Sequence, residues 1–206
     1  RPAFGWLSEE TPDNAARLTT GAQFIIDPID GTRAFIDGAK DWAHSLAIAE
    51  NGEITTAAVY LPQRDELYTA RLGGGAFLNG TPLHAASNPD LGAATILATR
   101  TTLDAHHWRE MPGVKRSFRS SLAYRLCLVA TGRFDAMLTL RPTWEWDVAA
   151  GALIVAEAGG TVTDQTNRPL RFNNPVPQVN GIVAGGALHG GLVGRLAGRV
   201  QPITHP

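Results

Sequence analysis

The stretch F-I-I-D-P-I-D-G-T-R-A-F-I-D-G, from Phe24 to Gly38, puts Asp27 and Asp30 at the end of an apolar run, with Gly31 and Thr32 directly behind them. The run has the length of a buried strand. A strand that stops at Asp27 presents its carboxylate at the sheet edge. Pro28 fixes the direction of the turn that follows, and Asp30 can swing back to the same side. Gly31 permits backbone geometry that a side chain would block. If a short helix starts near Thr32, its first amides and its dipole face the same space, which suits an anion. Two carboxylates about 4 Å apart repel by roughly 4 kcal/mol at an effective dielectric of ~20. A divalent cation between them and a phosphate removes that penalty, and hard oxygen ligands favour Mg2+ over zinc. The structural alternative makes Asp27 a strand-end turn former and Asp30 a helix N-cap.

Two other segments favour the metal reading. W-L-S-E-E-T, from Trp6 to Thr11, places Glu9 and Glu10 just past another apolar stretch, and W-E-W-D, from Trp144 to Asp147, places an aspartate at the start of an alanine-rich helical pattern. Each has a plainer reading of its own: Asp147 suits an N-cap, and the paired glutamates suit a solvated loop. Three such sites in one chain shift the balance. Competing motifs fail by spacing. A dehalogenase-type phosphorylated aspartate needs a second aspartate two residues on, whereas Asp27 and Asp30 are three apart. There is no G-x-x-x-x-G-K-[ST] loop, and G-G-G-A-F-L from Gly73 lacks the third glycine of a dinucleotide fingerprint.

Composition narrows the partners. With 206 residues, 44% hydrophobic and 18% charged, the chain can bury a sizeable core. A formal net charge of -1 recommends neither a nucleic acid polymer nor a membrane surface. No apolar run approaches the ~20 residues of a transmembrane helix, and no signal-peptide pattern opens the sequence. Cys127 is the only cysteine, so an intrachain disulfide is impossible and a cytoplasmic, reducing setting is expected. It lies in L-C-L-V-A and reads as a core residue rather than a nucleophile. His106 and His107 read as surface residues pointing different ways.

Along the chain, F-G-W-L from Phe4 reads as a strand in mid-domain, followed by strands over 23–27, 43–50, 53–60 and 66–71. Asn51-Gly52 between the second and third of these is a hairpin signal, and Gly73 to Gly80 is a further reversal. Beyond Asn88 to Gly92 the spacing predicts a strand over 95–99, a helix near 103–110 and an extended segment over 114–118. It then predicts a helix over 121–131, with Ser120 or Ser121 as N-cap and Gly132 closing it. A strand over 134–139 and a helix over 146–158, stopped by Gly159-Gly160, come next. A last strand and helix occupy 179–198. The first part reads as an antiparallel sheet and the second alternates strand and helix, giving expected domains at 1–90 and 91–206.

The segments S-E-E-T, D-P-I-D-G-T and W-D-V-A-A-G, in this order, resemble the three signatures of the inositol monophosphatase superfamily of Mg2+-dependent, typically lithium-sensitive phosphomonoesterases. A-E-A-G-G after the third and G-A-F-L-N-G from Gly75 extend the resemblance over nearly the whole chain. It implies a layered αβαβα sandwich of the sugar-phosphatase type, with the site at the junction of the two halves. It also implies that Glu9, Asp27 and the Ile29 carbonyl hold one Mg2+, that Asp27, Asp30 and Asp147 hold a second, and that a third ion can join them. Glu9 and Thr32 would position a water for in-line attack on phosphorus, with Asp30 in the catalytic set, and the Gly31 and Thr32 amides would hold phosphate oxygens. A homodimer is the usual assembly of the family, although nothing in the sequence marks an interface.

The resemblance implies that the substrate is a small phosphorylated metabolite. Inositol monophosphatases proper carry a ring-binding glutamate seven residues before the last metal aspartate, where this chain has Leu140. The tryptophan-flanked motifs are more similar to the bacterial branch that hydrolyses 3′-phosphoadenosine 5′-phosphate, and D-G-T-R-A-F-I-D-G leans the same way. Ser120 and Ser121 would bind a second phosphate or a ribose hydroxyl, or else serve only as caps. Inositol 1-phosphate and histidinol phosphate are the alternative substrates, and a non-catalytic metal-binding regulatory module is the alternative of another class. Family members carry a mostly helical segment, roughly sixty residues against a domain length of about 100–200, before the paired glutamates. It includes an acidic residue that orients the catalytic threonine. That segment is expected to lie outside the sequence given, which opens at Arg1.

Overall fold

Alternating buried and exposed residues build the first layer. The computed structural model describes residues 3–198. Its first sheet contains β1 (Gly5–Ser8), β2 (Ala22–Asp30), β3 (Ala43–Glu50), β4 (Glu53–Leu61), β5 (Glu66–Arg71), β6 (Gly75–Leu78) and β7 (Thr81–Pro82), paired in sequence order. The first pair is parallel, crossing through a 3-10 turn at Ala15–Thr19, and the other pairs are antiparallel. Asn51 and Gly52 both have positive φ, 52° and 83°, as their hairpin turn requires. A register shift where β3 leaves Ile48 changes the parity of β4, so that Ile54 is buried before the bulge and Ala57, Val59 and Leu61 after it. The carboxylate of Glu157 accepts from the Gly73 and Gly75 amides and closes the triple-glycine turn.

The expected end of β2 at Asp27 is corrected. The strand runs on through Pro28 to Asp30, with an extra residue on β2 between the Asp27–Ser45 and Asp30–Ala43 pairs. Proline has no amide to give the ladder, and a bulge is where a strand tolerates one. The Pro28 carbonyl is met by the His44 Nδ1 instead. α1 (Thr32–Ile36) follows at once.

The second half contains β8 (Thr95–Leu97), β9 (Lys115–Ser117), α2 (Leu122–Ala130), β10 (Ala136–Thr139), β11 (Thr143–Trp144), α3 (Glu145–Glu157), β12 (Thr161–Thr163), β13 (Gln178–Val179), β14 (Ile182–Gly185) and α4 (His189–Val193). Five strands form a mixed sheet in the order β12-β14-β10-β8-β9, and β11 pairs with β13 apart from it. The helix expected near 103–110 is replaced by 3-10 turns at Thr101–Leu103 and Ala105–His107, separated by an extended Asp104. Threonine and aspartate there compete with helical hydrogen bonding. The final helix is shorter than expected because H-G-G-L-V carries two glycines. Residues 199–206, the end of the expected second domain, lie outside the described residues.

α2 and α3 lie between the two sheets. Every residue of α2 is buried, and one continuous core joins Leu7, Ile25 and Tyr68 of the first sheet, both helices, and Met137 and Ile182 of the second. Each large apolar side chain buried this way contributes about 1.5–3 kcal/mol of transfer free energy. On the far side of the second sheet, Ile96, Leu138 and Val183 pack against Trp108, Leu188 and Leu192. The expected layered sandwich of helices and sheets is therefore present. The outer face of the first sheet keeps Trp6, Leu46 and Leu67 at 49%, 42% and 40% exposure, and the described residues lay no helical layer over it. No helix among the described residues is long and apolar enough to cross a membrane. Helix contact is tightest at Gly151, where an added Cβ would stand 2.5 Å from the Leu126 side chain. Gly151→Ala should lower stability by about 1–3 kcal/mol through overpacking, measured as a shift in the urea unfolding midpoint with an unchanged m-value.

Candidate metal and phosphate site

The inner face of β2 carries Ile25 and then Asp27, so the alternation that buries the core also aims a carboxylate inward at the strand end. One Asp27 oxygen accepts from the Ile29 amide, which folds the bulge around it. Asp30 is buried too, but it does not cap α1, whose N-cap is Gly31. Its carboxylate reaches across to the start of α2, accepting from the Ser121 hydroxyl and from the Ala123 and Leu122 amides at 2.6 and 3.3 Å. Asp147 is not an N-cap either. Trp144 holds that position, and Asp147 lies in the first turn of α3. One carboxylate oxygen from each of Asp27, Asp30 and Asp147 lies within 4.8 Å of the others.

Glu9 follows β1 and extends the parallel ladder, its amide donating to the Ile26 carbonyl at 3.3 Å. Its carboxylate is close enough to hydrogen-bond Asp27. Thr32 is exposed, and its hydroxyl donates at 3.1 Å to the Ile29 carbonyl. Gly31 has φ of 91°, and a Cβ there would stand 3.1 Å from the Asp41 carbonyl and 3.3 Å from Ser121. Only glycine suits both the backbone and the gap. Ser120 is exposed on the approach to α2. The expectation that Ser121 contacts substrate does not fit this geometry. It is fully buried, and its hydroxyl is spent as the α2 N-cap, accepting from the Tyr124 amide while donating to Asp30.

The electrostatics fit a cation. Burial first, then the charges of Asp30, Glu9 and Asp147, push Asp27 up to about 9. Burial raises Asp30 to about 6 against the opposing hydrogen bonds from Ser121, Ala123 and Leu122. Burial, with Asp30 and Glu9, holds Asp147 well above the usual carboxylate range. Such a set of hard oxygens, with neither histidine nor cysteine in it, suits Mg2+ and disfavours zinc.

Several residues that frame the site carry no motif signal. Ser45 on β3 donates to the Trp146 carbonyl at 3.0 Å and pins the first turn of α3. Arg125 lies buried in α2, donates to the Arg119 carbonyl, and is pulled down to about 10 by burial. A lone arginine inside the apolar L-A-Y-R-L-C-L-V-A helix was the one visible hint of it. Glu145, two residues before Asp147, is fully buried. A cavity of about 370 Å³ opens at Leu140 and Arg141, lined also by Thr99, Thr102 and the rings of His106 and His107. Those rings do not diverge as expected: their centroids are 3.9 Å apart. A second cleft of about 280 Å³ borders Glu9, walled by Trp144, Trp146 and residues 175–177.

The sequence profile of the inositol monophosphatase family matches residues 1–201. An inositol-1-monophosphatase of Rhizobium meliloti (strain 1021) is 40% identical over 176 residues, covering 80% of this chain and 64% of the relative. A Nus factor SuhB of Salmonella typhimurium is 40% identical over 179 residues, again 80% of this chain and 64% of the relative. The chain thus spans just under two thirds of the curated relatives it matches. Among solved structures, inositol monophosphate-bound SaIMPase-II superposes with a TM-score of 0.81 at 26% identity, covering 94% of this chain and 76% of that one. The 2'AMP-bound form of SaIMPase-II gives a TM-score of 0.81 at 26% identity, with 94% and 75% covered.

Because Asp27, Asp30 and Asp147 titrate higher in the folded chain than the about 3.9 of a free aspartate, the fold holds extra protons between that value and about 9. These groups therefore favour folding at low pH, and the contribution is lost as pH rises through the folded values. Mg2+ competes with those protons, so its stabilisation should grow with pH. The melting-temperature increment from Mg2+ should be several-fold larger near about pH 8.5 than near about pH 5.5. An increment independent of pH would remove these carboxylates from the metal site.

Proposed function

This chain belongs to the inositol monophosphatase family, and we propose that it is a Mg2+-dependent phosphomonoesterase acting on a small phosphorylated metabolite. The observation that carries the reading is the convergence, within 4.8 Å, of one carboxylate oxygen each from the buried Asp27 and Asp30 and the half-buried Asp147. Three carboxylates in that position destabilise the fold unless a cation joins them. Mg2+, when bound, supplies the charge that neutralises carboxylates and phosphate and makes hydroxide accessible near neutral pH.

The chain's own groups divide the remaining work. Asp27, Asp30, Asp147, Glu9 and the Ile29 carbonyl supply oxygen ligands. Glu9 and the Thr32 hydroxyl orient a water, and the Glu9 carboxylate takes its proton as the water oxygen attacks phosphorus. The ester P–O bond breaks on the opposite side, and the departing alcohol oxygen takes a proton from solvent water. The Gly31 and Thr32 amides hold the phosphate oxygens, and the positive φ of Gly31 turns the backbone to allow that approach.

For the substrate, our reading is a 3′(2′),5′-bisphosphate nucleotide. Arg141 supports it: its charge is felt at Asp147, and it lines the Leu140 cavity together with His106, His107 and threonine hydroxyls. That lining suits a second anionic group and sugar hydroxyls. Inositol 1-phosphate is the second reading, favoured by the names of the relatives. A non-catalytic role is the third, since other relatives are named Nus factors.

Phosphate release from 3′-phosphoadenosine 5′-phosphate, inositol 1-phosphate and histidinol phosphate, with and without Mg2+ and lithium, separates these readings. Preference for the nucleotide with inhibition by lithium is expected. Preference for inositol phosphate would leave the mechanism and reject the substrate, while Mg2+ binding without turnover would reject catalysis. Asp147→Asn should lower kcat by about two orders of magnitude or more, the scale of a lost charge-stabilising group, with the circular dichroism spectrum unchanged.

A further inference from the structure

Arg17 is 2% exposed and Glu145 is fully buried, and neither belongs to the site described above. Arg17 forms a two-pronged pair with Asp13, through Nε and Nη2 at 2.6 and 2.9 Å. Its Nη1 donates to the Asn173 side-chain oxygen at 2.6 Å, and Nη2 donates also to the Asn174 carbonyl at 3.0 Å. Glu145 receives the Asn173 amide at 2.7 Å and both the amide and side-chain nitrogen of Asn174 at 2.8 Å. Two buried charges are thus joined through one pair of asparagines, with both carboxylate oxygens and three guanidinium nitrogens satisfied.

The two ends of this relay matter because of what they adjoin. Asp13 ends the loop that begins at Glu9, and Glu145 opens α3 two residues before Asp147. The same asparagine loop runs on into residues 175–177, which close the cleft beside Glu9. A buried ion network usually adds little net stability over apolar residues of the same volume, yet it fixes geometry strictly when every member is satisfied. We propose that the relay Asp13–Arg17–Asn173–Asn174–Glu145 is a positioning clamp that holds the Glu9 loop against the first turn of α3, setting the distance between Glu9 and Asp147. This rests on the assignment of those two residues to the Mg2+ site. Arg17 and Glu145 touch neither phosphate nor metal, and they act through the ligands they hold in place.

The test is Mg2+ titration calorimetry on the full chain, well below the melting temperature of each variant. Glu145→Gln keeps the shape but turns a donor toward the Asn173 amide. It should weaken Mg2+ binding about tenfold, the lower end of the range for partners that orient metal ligands. Asn173 has φ of 61°, so Asn173→Gly removes both side-chain bonds to Arg17 without backbone strain and leaves Arg17 only its bonds to the backbone carbonyls of the loop. That change should weaken binding in the same direction and covers the case in which Glu145→Gln does not fold. Leu192→Ala, destabilised in the core on the far side of the second sheet, should bind Mg2+ as the parent does. Binding within twofold of the parent for the relay variants, despite lower melting temperatures, would overturn the clamp. Equal loss in Leu192→Ala would overturn it as well, by reducing the effect to general destabilisation. A parent chain that binds no Mg2+ would overturn the site assignment and the clamp together.

Discussion

Three carboxylates brought together, two of them buried and Asp147 half-buried, repel one another and lose hydration, and the surrounding structure is arranged around that unfavourable fact. Asp30 is the best compensated of the three. The N-terminus of α2 turns the Ser121 hydroxyl and two amides onto it, where the helix dipole favours negative charge. Asp27 accepts from the Ile29 amide and faces the Glu9 carboxyl, and burial with the neighbouring acids raises it to about 9. The two are unevenly held: Asp30 is fixed in place by hydrogen bonds from α2, whereas burial and neighbouring acids leave Asp27 and Asp147 raised.

Fixing those groups requires elements that do not shift. α2 and α3 are enclosed between two sheets, and their contact at Gly151 admits no Cβ. Close packing of this kind has little slack. The first turn of α3 is then pinned from three directions: by Ser45 from β3, by the pairing of Trp144 with Gln178, and by the asparagine loop on Glu145. Asp147 inherits its position from those contacts.

The local signals that could be read from sequence share a cause. Asn51-Gly52, the alternation in β3 and β5, and Ser121 as the cap of α2 all depend on neighbours within a few residues. So does α3, whose alanine-rich run ends at Gly159-Gly160. The expectations that failed had either a distant partner or a local competitor that the apolar pattern masked. Pro28 looked like the end of a strand because the bulge that accommodates it is defined only by β3 opposite. The 103–110 segment has enough apolar residues for a helix. It breaks instead into two 3-10 turns, with Trp108 buried and its indole donating to the Thr102 carbonyl.

Sequence alone determined which acidic residues were candidates for a metal site, because D-P-I-D-G-T, S-E-E-T and W-D carry their oxygen donors in the motif letters themselves. The layered class was legible through the family resemblance of those motifs, while periodicity and turn residues located individual strands and helices. Only the tertiary structure decided that Asp30 caps a helix ninety residues away, that Ser121 serves the carboxylate rather than a substrate, and that Arg17 and Glu145 meet through two asparagines. The reason is physical: burial and hydrogen-bond partnership between remote segments depend on how whole layers pack, and no local pattern of residues encodes which buried charge will face which.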